Sequence, residues 1–253
     1  EDRVRRDTSR MRIPGRCVMA VLTMLLCWPV AASEVNPSSE LRPFFAVYHL
    51  SLAGMLFGEV KVSLSISDRG GYKYRAHTLP RGPMRLFRDD EITEESRGIV
   101  ENRTIRPENY LYRHQQSDRS RDAKLNFDYS RGRVVNDIRG SRWTMPVPPG
   151  VQDKFSQQLA LIQGMLNGAE EIEFPVADGG KLKRYRYERI EVGTIDSPAG
   201  SFDAVALARR KNDRPSRMTI WLAPALRFLP VRVEKRESDE RVTMLLQSVT
   251  WDP

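Results

Sequence analysis

The chain has 253 residues, of which 40% are hydrophobic and 29% charged, and its formal net charge is +8. This apolar content is too high for a disordered chain, and two cysteines are too few for a disulfide-dense scaffold or a four-thiolate zinc site. What remains is an ordinary globular protein with a mildly basic surface.

The N-terminal residues predict export. Arg12 and Arg16 come just before an uncharged stretch, Cys17 to Ser33, which ends with small residues. This is the pattern of a secretory signal peptide. A retained membrane anchor is the alternative, but the stretch is shorter than the roughly 20 apolar residues of a spanning helix. We expect residues 1–32 to be an upstream extension plus a cleaved signal peptide, 33–43 a flexible arm, and 44–253 a single β-rich domain in the periplasm.

Strand patterns dominate the residues after the arm. In Phe57–Ser67 the apolar residues Val60, Val62 and Leu64 alternate with polar ones, which is the period of a half-buried strand. Turn residues separate this segment from similar ones, and an antiparallel succession is the simplest arrangement. The similar segments are 45–52, 71–79, 109–116, 120–129 and 133–138.

One helix is predicted at about 152–167. Phe155, Leu159 and Ile162 recur at helical spacing and form one apolar stripe, so we expect Leu159 and Ile162 in the core. Asp153 lies at its start, where a carboxylate can accept hydrogen bonds from free backbone amides. The three prolines between 146 and 149 predict an extended crossing without strand pairing before the helix.

Six further strand segments follow the helix, at about 171–177, 181–193, 201–210, 216–223, 226–237 and 241–251. A sheet of ten or more strands must curl or split. The predicted fold is therefore mainly β: a strongly curved antiparallel sheet, or an open barrel or two-layer β meander, with one packed α-helix.

Several short motifs, in a fixed order, resemble a Gram-negative periplasmic family known as domain of unknown function 3108. They are Tyr48, Gly54 and Gly58 in the first hairpin, Val151-Gln152-Asp153 with Ser156, Ser197 to Phe202, and Ile220-Trp221-Leu222 followed by Leu229-Pro230-Val231. The resemblance covers nearly all of the chain after the leader. It implies export to the periplasm and a mostly antiparallel β fold, and it brings no activity and no catalytic residue.

Motifs of common enzyme classes are missing from the sequence. It has no glycine-rich phosphate loop, no H-E-x-x-H and no G-x-S-x-G. His49, His77 and His114 fall on three different predicted strands, which favours scattered structural histidines over a metal site. The acidic run Asp89 to Glu95 is better explained as a charged edge strand than as a pair of glycosidase carboxylates. We therefore expect no catalytic residue, no metal and no cofactor.

The basic stretch Lys181 to Arg189 is the best candidate for binding. On a strand, Tyr185 and Tyr187 project to one side and Arg184 and Arg186 to the other. Arginine and tyrosine together can hold phosphate or carboxylate groups. The alternative is an exposed strand whose tyrosines cover the core. The candidate binding residues are Arg184, Arg186, Tyr185, Tyr187 and Trp221.

These observations favour a non-enzymatic periplasmic binding or carrier domain for an amphipathic or anionic envelope molecule. The alternative is an envelope-assembly or structural protein that binds another protein through a sheet edge, and a hydrolase is the third choice. The expected partners are lipid, anionic glycan or another envelope protein, with no nucleic acid and at most peripheral contact with a membrane. A carrier needs roughly 300 to 1,000 Å³ of mostly apolar pocket, whereas a structural partner needs a free strand edge.

Overall fold

Alternating apolar and polar residues form strands along most of the chain in the computed structural model, which describes residues 40–82, 90–116, 119–237 and 240–252. The expected leader and most of the expected arm lie outside the described residues. The strands are β1 (Phe44–Leu52), β2 (Met55–Ile66), β3 (Gly71–Pro80), β4 (Glu91–Glu101), β5 (Thr104–Gln116), β6 (Arg119–Asp128), β7 (Arg133–Ile138), β8 (Ser141–Pro146), β9 (Gln152–Asp153), β10 (Ile172–Asp178), β11 (Lys181–Ser197), β12 (Gly200–Lys211), β13 (Arg214–Ala223), β14 (Leu229–Glu237) and β15 (Glu240–Trp251). The helix α1 (Ser156–Leu166) lies between β9 and β10.

The fifteen strands of the described residues all belong to one sheet. Its order is β8-β7-β6-β5-β4-β3-β2-β1-β15-β14-β13-β12-β11-β10-β9, so β1 and β15 join an N-terminal meander to a C-terminal one. Every neighbouring pair is antiparallel except β9 and β10, which are parallel. The sheet is not closed into a barrel, but β9, at one edge, also contacts β5. Such contact across the sheet requires strong curvature, and the predicted fold class is confirmed.

The helix is shorter than predicted because its first residues form a strand. Gln152 and Asp153 pair with Val176 and Ala177 of β10, and the helix begins only at Ser156. The predicted unpaired crossing was also partly wrong. Pro146 ends β8 opposite Arg133, which is possible because β8 is an edge strand and its other side needs no donor.

The acidic run does not form an edge strand, and that prediction was wrong for its described residues. Strand β4 lies between β3 and β5 and pairs with both. Its carboxylates are tolerated there because each has a donor. Glu91 lies 2.6 Å from His77 Nε2, Glu94 accepts from Tyr110, and Glu95 accepts from Arg97 Nε at 2.6 Å.

The core lies between the inner face of the sheet and α1. A larger cluster contains buried side chains from β1–β3 and β5–β7 together with Leu159. A smaller cluster joins β10–β13 to Leu161 and Met165 on the same helix. Leu159 and Ile162 are both buried, as the apolar stripe predicted. The helix therefore links the two meanders through side-chain packing.

Candidate binding cleft

The two ends of the curved sheet approach each other at the turn between β10 and β11. The ring of Trp143 on β8 lies over the Cα of Gly180 in that turn, and any Cβ built there would overlap it. Gly180 also has φ of +71°, a conformation that glycine adopts without strain. The described residues form no strand pairing between β8 and β10. We call this approach the seam.

A cleft opens beside the seam, with a cavity of about 140 Å³. Strands β5–β7 supply one wall and β10 the other. The lining residues are Tyr110, Tyr112, Ala123, Leu125, Ile138, Lys154, Ala177, Asp178 and Gly179. An apolar cavity of about 150 Å³ can hold benzene. The cleft therefore has room for a group of about that size.

Lys154 brings a cation to this cleft. Its side chain is 49% exposed, and its Nζ lies 4.0 Å from Glu94 Oε1 and 5.4 Å from the centre of the Tyr112 ring. Glu94 also accepts a hydrogen bond from Tyr110 Oη at 2.6 Å. Burial, followed by the charge of Glu94, raises the pKa of Tyr110 well above its usual value, so this phenol stays protonated and donates.

A second group of charges surrounds Asp178. Its Oδ2 lies 2.5 Å from Lys183 Nζ, 2.8 Å from Tyr185 Oη and 3.6 Å from Lys211 Nζ. Burial tends to raise the pKa of Asp178, but the hydrogen bonds from Lys183 and Tyr185 outweigh it and the pKa is lowered. The pKa of Lys211 is lowered by burial and then by Lys183. Counting Lys154 and Glu94, three ammonium groups lie among two carboxylates here, with the carboxyl group of Asp153 close by.

A buried hydrogen-bond network holds the start of α1 next to this cleft. Asp153 accepts bonds from the amides of Phe155 at 2.7 Å and Ser156 at 2.6 Å, and from Ser96 Oγ at 2.6 Å. Ser156 Oγ in turn accepts from the amide of Asp153 at 2.9 Å, so the two residues form the reciprocal bonds of a capping box just before the helix. Ser96 Oγ lies 2.9 Å from Tyr72 Oη. The predicted capping role of Asp153 is confirmed.

Tyr185 and Tyr187 point into the protein. Both are buried in the smaller cluster, and Tyr187 donates a hydrogen bond to Gln157 of α1 while Tyr185 donates to Asp178. Only Tyr185 therefore reaches the charged groups beside the cleft. The prediction that these tyrosines share one face of the strand is confirmed.

Arg184 and Arg186 lie on the opposite face, where carboxylates already surround them. Arg186 contacts Glu171 at 2.8 Å and Glu188 at 3.8 Å. Arg184 pairs with Asp213 and lies 3.7 Å from Glu173. The structure therefore does not bring these arginines together with the tyrosines.

Trp221 lies in a third place. It is half-buried against the larger cluster, and a Cβ on Gly193 would lie 3.5 Å from its Cζ3. The residues that line the cleft were missed by sequence reasoning. Lys154 and Asp178 are single charged residues in unremarkable surroundings, and only the fold brings them together.

A family model described as "Protein of unknown function (DUF3108)" matches residues 47–247. This chain belongs to the DUF3108 family. The resemblance that the sequence motifs indicated is thereby confirmed. The capping box explains one of those motifs, Val151-Gln152-Asp153 with Ser156, in physical terms.

Solved structures also resemble this DUF3108 chain. A β-barrel-like protein of domain of unknown function DUF1849 from Brucella abortus matches with a TM-score of 0.54 and 11% identity, covering 85% of this chain and 99% of its own. A candidate lipoprotein from Parabacteroides distasonis matches with a TM-score of 0.34 and 13% identity, covering 83% of this chain and 96% of its own. A candidate exported protein with a YmcC-like fold from Bacteroides fragilis matches with a TM-score of 0.33 and 12% identity, covering 83% of this chain and 97% of its own. The Brucella structure shows a likeness of fold alone. Among curated proteins, none is similar in sequence.

The three histidines of this family member contact different acids. His77 lies 2.6 Å from Glu91, while the other two lie farther from theirs, His114 at 3.5 Å from Asp90 and His49 at 3.9 Å from Glu59. Within the described ranges, no group of three or more His, Cys, Asp or Glu is placed to hold a metal ion. The same ranges contain no helix long and apolar enough to cross a membrane.

Proposed function

We propose that this DUF3108 chain is a non-enzymatic periplasmic protein that binds an amphipathic anion in the cleft. The observation that carries the proposal is the combination of an apolar floor, formed by Ala123, Leu125 and Ile138, with a half-exposed ammonium group, Lys154, at the same cavity. Such a combination suits a molecule with one apolar part and one negative charge. The periplasmic location rests on the signal-peptide pattern before residue 33.

The size of the cavity favours partial over complete enclosure of the ligand. A pocket for a whole drug-sized molecule occupies roughly 300 to 1,000 Å³, and the cleft holds about 140 Å³. We therefore propose that the cleft takes one end of an envelope molecule, such as the terminus of an acyl chain or a single side chain. The ammonium group of Lys154 would attract its anionic group.

Binding of heptanoate tests this proposal by isothermal titration, with heptanol as the uncharged analogue. We expect heptanoate to bind and Ala123→Leu to abolish binding, because the added carbons fill the cavity floor. Lys154→Gln should lower the affinity for heptanoate by about fivefold, since a partly exposed charge contributes about 1 kcal/mol. Lys124→Gln is the matched control, because Lys124 is exposed on the same strand as Ala123 and does not line the cleft. Equal binding by the wild type and Ala123→Leu would contradict the proposal.

A second candidate function is supported by a free strand edge. β10 pairs with β11 only up to Tyr187, whereas β12 accompanies β11 as far as Ser197. Among the described residues, no strand pairs with the β10 side of 188–197. Ile190 and Val192 in this segment are 52% and 66% exposed. A free edge of this kind can accept an extended segment of another envelope protein.

Photo-crosslinking in the periplasm tests this second candidate. We expect a crosslinker at Val192 to give one discrete adduct, and Ile190→Lys to remove it, because a charge on the edge opposes strand addition. A crosslinker at Lys124 is the control, since β6 pairs with strands on both sides. The same adducts from both positions, or none from Val192, would exclude edge pairing.

A further inference from the structure

Asn136 is a buried amide without a hydrogen-bond partner among the described residues. Its side chain is 0% exposed, and neither Nδ2 nor Oδ1 is bonded to any of the described residues. Most buried polar groups in proteins have a partner, and an unsatisfied one is costly. Polar groups that break this rule are expected at functional sites.

Strand geometry places Asn136 beside the cleft. Ile138, two residues later on β7 and therefore on the same face, lines the cavity, as does Leu125, which lies directly opposite Asn136 on β6. Directly opposite residues have Cβ atoms about 5 Å apart. On its other side Asn136 faces Trp143 of β8, whose ring lies over Gly180 at the seam. Asn136 thus lies behind the cavity floor, between it and the seam. Its own side chain is fully covered and does not line the cavity, so a ligand contacts it only where the covering side chains shift.

We infer that Asn136 is a polar subsite of the cleft and that the ligand carries an amide at its buried end. This inference rests on the proposed function of the cleft. An amide group offers one N–H and one C=O, which satisfy Oδ1 and Nδ2 of Asn136 at the same time. A carboxylate has acceptors only and would leave Oδ1 unpaired. The ligand class is therefore an amphipathic anion with its charge toward Lys154, an apolar middle along Ala123, and an amide at Asn136.

Adipamate and heptanoate provide the matched probes, because they have the same length and carboxylate and differ only in the terminal amide. We expect the wild type to bind adipamate at least tenfold more tightly than heptanoate. Asn136→Leu should remove that preference while it retains heptanoate binding. Asn126→Leu is the control, since Asn126 is an exposed asparagine on β6. The side-chain amide signals of Asn136 in ¹H–¹⁵N spectra should also shift with adipamate and not with heptanoate, a measurement that needs no variant to fold.

The outcomes separate the inference from the proposed function. If heptanoate binds and adipamate binds no better, the cleft is a binding site and the inference about Asn136 is wrong. An ordered water that satisfies the Asn136 amide would give this result. Retention of the adipamate preference in Asn136→Leu would also overturn the inference. If neither probe binds at millimolar concentration, the proposed function fails first.

Discussion

Replacement of Leu159 by Ala is expected to lower the free energy of unfolding by about 2 to 5 kcal/mol. Leu159 is 0% exposed and belongs to the larger core cluster. The loss combines the transfer free energy of the deleted carbons with the cost of the cavity they leave. The effect should be at the upper end because the walls around α1 belong to sheet strands, which cannot move inward without breaking their pairing. Urea unfolding of the two proteins gives the measurement.

Leu166→Ala is the matched control for this substitution. Leu166 is the last residue of α1 and is only half-buried. Its truncation removes the same atoms and should cost distinctly less, since the area taken from water is smaller. Equal effects at both positions, or a change below about 0.5 kcal/mol at Leu159, a value typical of surface substitutions, would mean that the helix does not pack as described.

Local patterns account for the elements that the sequence predicted correctly. The alternation of Val60, Val62 and Leu64 and the helical spacing of Leu159 and Ile162 are properties of neighbouring residues, and both follow from burial on one face. The six strands after the helix are all present for the same reason. β8 was missed because Pro146 and the two prolines that follow it argue against pairing, and that argument fails at a sheet edge.

The position of a strand within the sheet is not a local property. The charges of β4 indicated an edge strand, yet β4 is internal. Tyr110 and Arg97 donate hydrogen bonds to Glu94 and Glu95, and the spacing of these glutamates in the sequence does not reveal their donors. The cleft was unpredictable for a similar reason. Its walls come from β5–β7 and β10, and their approach depends on the curvature of the whole sheet.

The candidate residues on β11 show what strand geometry predicts and what it leaves open. Their alternation between two faces follows from strand geometry and was predicted. Which face meets the core and which meets carboxylates depends on β10, β12 and the turn at Asp213. Sequence reasoning therefore gave Arg184 as a candidate for ligand binding, and it could not show that Glu173 and Asp213 lie beside it.

Asp153→Asn is expected to abolish a loss of about 3 kcal/mol in the free energy of unfolding that the wild type undergoes as the pH rises from about 4 to 6. Burial raises the pKa of Asp153 from its ordinary 3.8 to about 6, and this outweighs the hydrogen bonds from Ser96, Ser156 and Phe155 that lower it. The folded protein thus holds a proton that the unfolded chain releases near pH 4, so folding loses stability as pH rises from about 4 to 6. About two pKa units at 1.36 kcal/mol each give the stated magnitude. The cost is complete above pH 6.

The difference between wild type and Asp153→Asn isolates this group, because all other titrating residues are common to both proteins. Asn can still accept from the amides of Phe155 and Ser156 through Oδ1 and can donate to Ser96 Oγ through Nδ2, so the capping geometry is retained. Urea unfolding at pH 4, 5, 6 and 7 should show the variant gaining on the wild type as pH rises. A constant difference between wild type and Asp153→Asn across this range would mean that the Asp153 carboxylate ionises in the folded protein as readily as in the unfolded chain, and that the amides at the start of α1 compensate fully for its burial.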